Sequence, residues 1–198
     1  MKKYVFLTLI SLFALAFTLD KGGYEVGDKA SDFSLKNVDG KMVSLASYED
    51  AKGYIVVFTC NSCPYSVAYE DRIIALHEQY ADKGYPVIAI NPNDEEKSPK
   101  DSYDLMKVRA KEKNFPFAYV YDETQSITKS YGATNTPHVY VLDKDRTVKY
   151  IGAIDNNTRD ASAADKKYVE DAVDALIKSK EVPTKKTKAI GCTIKWAS

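Results

Sequence analysis

The chain has 198 residues, 44% hydrophobic and 28% charged, enough apolar material for one globular domain with a proper core and too much for a disordered or fibrous chain. Lys plus Arg and Asp plus Glu number 28 each, so the net charge is zero and the overall balance does not point to nucleic acid or to an acidic surface. There is no internal repeat and no low-complexity tract.

The first residues differ from the rest. Lys2-Lys3 precede an apolar stretch from Tyr4 to Leu19, interrupted only by Thr8, Ser11 and Thr18. At 16 residues it is shorter than the roughly 20 that span a bilayer. Ala14-Leu15-Ala16 offers the small residues of a cleavage site, so residues 1–16 read as a secretory signal peptide. Removing them takes away Lys2 and Lys3 and no acid, which leaves the mature chain at minus two. Export, with a periplasm as the expected destination, would put the thiols where disulfides persist. Contact with a membrane is expected only if the N-terminal segment stays uncleaved. Residues 24–180 are the expected folded domain and 181–198 a C-terminal tail.

Within the mature chain, Phe33-Ser34-Leu35 and Met42-Val43-Ser44-Leu45 flank Asn37-Val38-Asp39-Gly40 and predict a β-hairpin, because Asp-Gly supplies the positive backbone angle that such turns need. Residues 54–59 form an apolar run suited to a buried parallel strand. From Pro64 onward, Val67, Ile73, Ile74, Leu76 and Tyr80 recur at helical spacing, with Glu70, Asp71, Arg72, Glu78 and Gln79 on a polar side and Gly84 as the stop. Residues 87–91 predict a second strand. Residues 101–114 predict a helix with Leu105, Val108 and Ala110 as its apolar positions. A strand at 117–121, a short helix at 124–131 stopped by Gly132, a hairpin of strands at 138–142 and 148–151, and a helix at 165–179 complete the order. Strand-helix alternation followed by a hairpin and helix implies an α/β fold, a mixed central sheet flanked by helices.

Cys60 and Cys63 form a C-x-x-C pair where the first buried strand meets the helix begun by Pro64. Proline lacks an N–H and suits the first turn, which puts the cysteines at the helix N-terminus. There the free N–H groups and the helix dipole favour thiolate over thiol. The residue before a proline avoids helical angles, which constrains Cys63. Two residues between the sulfurs let the pair close into a disulfide and reopen by exchange. A zinc site would need further ligands, for which Cys192, His77 and His138 are the candidates, and there is no second C-x-x-C. Redox chemistry is therefore the reading, with no metal and no organic cofactor. Because parallel strands bind ligands beyond their carboxyl ends, the loop at residues 92–99 is expected on the same edge as the cysteines.

Phe58-Thr59-Cys60-Asn61-Ser62-Cys63-Pro64 after a strand, with Thr136-Pro137 before a later one, resembles the thioredoxin-fold proteins. The N-terminal hairpin resembles the redoxin branch, the alkyl hydroperoxide reductase/thiol-specific antioxidant superfamily. Asn91-Pro92-Asn93-Asp94 and Gly191-Cys192-Thr193-Ile194-Lys195-Trp196 are similar to its peroxiredoxin-like group. The resemblance covers residues 24–180. It implies a thioredoxin-like fold with an N-terminal β-hairpin and a cis Thr136-Pro137 bond facing the cysteines. That bond would turn the Thr136 backbone toward an incoming peptide and keep metal from the sulfurs. Thr136 and Pro137 are thus the expected substrate-binding residues, and substrate protein thiols or disulfides and an upstream thiol electron donor the expected partners.

The resemblance implies a thiol-disulfide oxidoreductase, with Cys60 as the more exposed nucleophile and Cys63 as resolver. The alternative is a thiol peroxidase with Cys63 as the peroxidatic residue, since Cys63-Pro64 imitates the Cys-Pro of peroxiredoxins. Against it, Cys60 replaces the threonine that orients peroxide and Pro137 stands where an arginine is expected. A third reading is a binding module keeping a structural disulfide or metal. The chain also departs from thioredoxin: Tyr54 falls where a buried acid is expected, and Glu70, seven residues from Cys63, reads as surface or network. His138 could help a thiolate if cationic, or be a strand residue with a satisfied polar tip. Cys192 reads as a third redox partner, an intermolecular link or, the favoured case, a small buried hydrophobe. Ile194 and Trp196 suggest that the tail docks on something apolar.

Overall fold

A computed structural model describes residues 22–198, so the expected signal peptide lies outside the described residues. Strands β1 (Leu35–Asn37) and β2 (Met42–Val43) form the predicted antiparallel hairpin, and Gly40 takes the turn at φ +86°. Phe33 and Leu45, expected inside its strands, lie just outside them and are buried. β3 (Gly53–Phe58) is followed by helix α1 (Pro64–Tyr80), one 3-10 turn, and Gly84 in the left-handed conformation. β4 (Val87–Asn91), α2 (Tyr103–Glu112), β5 (Ala118–Tyr121) and α3 (Ser126–Tyr131) come next. Then follow β6 (Asn135–Thr136), β7 (His138–Asp143), β8 (Val148–Gly152), α4 (Tyr168–Ile177) and β9 (Cys192–Thr193).

Seven strands form one mixed sheet in the order β2-β1-β5-β4-β3-β7-β8, with β3, β4 and β5 parallel and the other pairs antiparallel. β3 and β4 sit centrally with both faces covered, which is why every residue of both is buried and their sequences are continuous apolar runs. Ile55, Val57, Ala89 and Val141 pack with Ile73 of α1, Met106 of α2 and Val173 of α4 on one face. Val56, Phe58, Ile88 and Leu142 pack with Tyr131 of α3, Phe33, Leu45 and Ile194 on the other.

Two helix faces differ from expectation. α1 turns Ser66, Tyr69, Glu70, Ile73, Leu76 and Tyr80 inward, and Val67 is exposed. α2 buries Met106, while Leu105 and Val108 face solvent. β6 and β9, which the sequence did not suggest, form a separate two-stranded pair. Among the described residues no helix is long and apolar enough to cross a membrane.

Candidate active site

β3 ends at Phe58, and the Thr59 N–H extends its ladder to the Ile90 carbonyl at 2.9 Å, so the chain leaves the sheet at Cys60. Cys63 is the N-cap of α1 with extended backbone (φ −69°, ψ 123°), the conformation a following proline demands, and Pro64 starts the helix. The Cys63 carbonyl accepts the Val67 N–H at 2.9 Å, which locks the first turn.

Thr136 meets both sulfurs. Its Oγ1 lies 3.3 Å from Cys60 Sγ, and its carbonyl accepts the Cys63 thiol at 3.2 Å. The Thr136–Pro137 bond is cis, as the resemblance implied. Ser66 Oγ stands 3.8 Å from Cys60 Sγ. The four residues Cys60, Cys63, Thr136 and Pro137 therefore come together at the carboxyl end of β3. Both cysteines are free thiols.

The residues between the cysteines are pinned from the neighbouring loop. Asn61 donates to the Lys100 carbonyl at 3.1 Å and accepts from the Tyr119 hydroxyl at 2.9 Å. Asp101, fully buried, accepts the Ser62 N–H and hydroxyl, each at 2.9 Å, as well as Asn93 Nδ2 at 2.8 Å and Ser98 Oγ at 2.7 Å. The loop at residues 92–99 is thus on the cysteine edge as expected, and its Asn93 and Ser98 hold Asp101, an aspartate in the 3-10 turn that follows, which sequence reasoning missed.

Both cysteines are 3% exposed, so the expectation of a more exposed Cys60 is not met. Their protonation preferences diverge. The Cys63 thiol is pushed well down, first by the Cys60 thiol as donor and then by the thiol and backbone N–H of Cys192, against an opposing cost of burial. The Cys60 thiol is pushed up by its interaction with Cys63, by burial and by the Asp101 carboxylate. Of the two thiols Cys63 is the one that ionises more readily, and on doing so it gives up its donation to the Thr136 carbonyl.

Two open alternatives are resolved and one expectation is corrected. Glu70 is buried and forms a bidentate ion pair with Arg109 at 2.7 and 2.6 Å, which makes it a network residue and not a surface one. It lines the same small cavity as Cys60, about 10 Å³, with Ile73, Phe115 and Tyr119. His138 is 7% exposed and burial, aided by Lys186, lowers its pKa to about 4, so it stays neutral and lends no positive charge to a thiolate. Its Nδ1 accepts the Thr134 N–H at 3.3 Å, the satisfied strand residue of the second reading. Cys192 is partly exposed beside Cys63 and is not a core hydrophobe. The tail docks on this domain, with Ile194 buried and Trp196 under Lys129. A groove of about 410 Å³ beside the helix tip is lined by Pro64, Tyr65, Ala68, Thr158, Arg159 and Ile190.

The family model described as the AhpC/TSA family matches residues 26–151. The chain is 28% identical over 156 residues to the thiol-disulfide oxidoreductase ResA of Bacillus thuringiensis, covering 73% of this chain and 82% of that protein. To the thioredoxin-like protein YneN of Bacillus subtilis it is 31% identical over 140 residues, covering 65% and 72%. A solved structure of a conserved protein from Geobacillus kaustophilus superposes with a TM-score of 0.82 at 36% identity, covering 87% of this chain and 93% of that one.

Proposed function

The chain belongs to the AhpC/TSA family, and from that premise we propose that it is a thiol-disulfide oxidoreductase of thioredoxin-like fold. Cys60 and Cys63 exchange a dithiol and a disulfide with substrate proteins. The observation that carries this is the contact of both sulfurs with Thr136, at 3.3 and 3.2 Å, on the tip of α1.

In the reducing direction the Cys63 thiolate, and not Cys60 as first expected, attacks a substrate disulfide sulfur, because Cys63 is the more acidic of the two thiols. A Cys63–substrate bond forms, the substrate bond breaks, and the electron pair leaves on the second substrate sulfur. Cys60 then gives up its proton to that sulfur and attacks Cys63 Sγ, which forms Cys60–Cys63 and releases the first substrate sulfur as thiolate. Two electrons pass to the substrate, and an upstream thiol donor restores the dithiol. Thr136 orients both sulfurs, and Tyr65 and Ile190, 41% and 45% exposed along the groove, offer an apolar surface to the segment flanking the substrate disulfide.

Cysteine variants test the assignment. Cys60→Ser combined with Cys192→Ser is expected to trap a mixed disulfide between Cys63 and substrate protein, because no neighbouring thiol is left to resolve it. Sulfenic acid on Cys63 after peroxide, with no trapped substrate, would favour the peroxidase reading, and neither species would favour a non-catalytic module.

The apolar run at residues 4–19 supports export to the periplasm, with Thr136 and Pro137 as the substrate-facing edge of the site. N-terminal sequencing of protein recovered from that compartment is expected to begin just after Ala16. An intact Met1 in a membrane fraction would instead mean an uncleaved anchor.

A further inference from the structure

The C-terminal strand occupies the edge that an incoming peptide would need. β9 pairs antiparallel with β6, with Cys192 opposite Thr136 and Thr193 opposite Asn135. The Thr136 carbonyl accepts the Cys63 thiol, so Cys63 and Cys192 converge on one residue. A side-chain carbon at Gly191 would collide with that carbonyl and with Pro137 N, so only glycine lets the strand come this close. Clamps hold it on both sides: Asn135 Nδ2 donates to the Gly191 carbonyl at 2.9 Å, the Ile194 N–H to the Thr134 carbonyl at 3.2 Å, and the Lys195 N–H to Asn93 Oδ1 at 2.9 Å. With the tail docked, Cys60 and Cys63 are buried, and Cys192 is the cysteine that reaches solvent.

We propose that β9 is a tethered substrate of this site, and that Cys192 exchanges with Cys63 so that the disulfide moves between Cys60–Cys63 and Cys63–Cys192. The proposal rests on the exchange chemistry assigned above. In the step, Cys192 gives up its proton and attacks Cys63 Sγ in the closed pair. The Cys63–Cys192 bond forms, the Cys60–Cys63 bond breaks, and the electron pair leaves on Cys60, which takes up the proton. Nothing is oxidised or reduced overall, and no outside reagent enters. The disulfide now has one sulfur at the partly exposed rim. There a dithiol protein partner attacks Cys192 Sγ and expels Cys63 as thiolate, a good leaving group because its thiol is acidic. The partner's second thiol then resolves the mixed disulfide.

The test is disulfide mapping of the mature full-length chain, oxidised with glutathione disulfide, quenched in acid, alkylated and digested without reduction. In Cys60→Ser, Cys63 and Cys192 are expected to lose alkylation together and to appear as one cross-linked peptide pair. A Cys63 carrying glutathione beside an alkylated Cys192 would overturn the inference and leave the C-x-x-C reading standing. If wild-type protein forms no bond between any pair, both readings fall together. Wild-type protein equilibrated across glutathione buffers gives a second readout that does not depend on the variant folding. A reproducible Cys63–Cys192 fraction supports the tethered substrate, and its absence across the whole series, or a Cys60–Cys192 bond in its place, overturns it.

Discussion

Asp101 holds Ser62 through both of its donors, the backbone N–H and the hydroxyl, and so fixes the two-residue bridge between the cysteines from a loop almost forty residues away in sequence. The same carboxylate takes Asn93 and Ser98. Asp101→Ala is expected to leave these donors without their acceptor and to cost about 3 kcal/mol of stability, moderated where water reaches Ser62. A urea denaturation midpoint reads it, and a midpoint unchanged from wild type would show that the bridge is held by other contacts.

The Glu70–Arg109 pair puts a carboxylate with 5% side-chain exposure against a guanidinium with 27%. Arg109→Met strands the carboxylate, with Lys113 at 4.0 Å as the remaining cation. The expected loss is about 3 kcal/mol, and Glu70→Gln added to Arg109→Met should recover part of it, since removing a buried pair costs less than breaking one. A double-mutant cycle that finds the two effects additive would contradict this.

Cys63 titrates early. Its pKa is lowered to about 4, first by the Cys60 thiol, while an unfolded cysteine titrates near 9. A group with a depressed folded pKa contributes stability that is fully present above the unfolded value and is lost as pH falls through the folded one. The reduced protein should therefore lose that contribution between about pH 9 and pH 4. The raised Cys60 thiol works in the opposite sense, its contribution being lost on the alkaline side. Ultraviolet absorbance of the thiolate, followed with pH in wild type and in Cys63→Ser, checks the assignment. Loss of the low-pH step in Cys60→Ser alone would place the anion on the other sulfur.

His138 sets an acid limit. Burial lowers its pKa from 6.5 to about 4, so the folded state holds it neutral while the unfolded chain protonates it first. Its contribution is present above pH 6.5 and is lost as pH falls toward 4. In His138→Gln the fall in denaturation midpoint across this window is expected to be shallower by up to one proton, and an identical slope would assign acid sensitivity to other groups.

Much of this architecture could be read locally. β3 and β4 announce themselves as apolar runs because both of their faces are covered, Asp39-Gly40 marks the hairpin, and Pro64 fixes where α1 begins and hence where Cys63 sits. What escaped depends on contacts distant in sequence. The two-residue strands β6 and β9 are defined only by each other, across more than fifty residues. Asp101 stands among charges where a charged helix is predicted to begin, so its sequence looks solvated although its carboxylate is buried in a ring of donors. Glu70 stays undecided between surface and network in the sequence for the related reason that its partner lies on another helix. In α2 the charge density hides the phase: Leu105 and Val108 look like the core face, yet Met106 is the residue fully buried, with Tyr103 and Ala110 packed beside it. For Cys192 the tail motif was visible, and its neighbour across the fold was not.

Ile194 gives the tail a hydrophobic plug. It is 5% exposed, two residues beyond Cys192, and packs with the cluster under the sheet. Withdrawing such a side chain into water costs about 2 kcal/mol, which keeps the uncapped form near one molecule in roughly thirty before any hydrogen bond is counted. The reactive sulfurs therefore spend most of their time sheathed, protected from adventitious oxidants, and a client must either wait for that rare opening or deal with the sulfur left at the doorway.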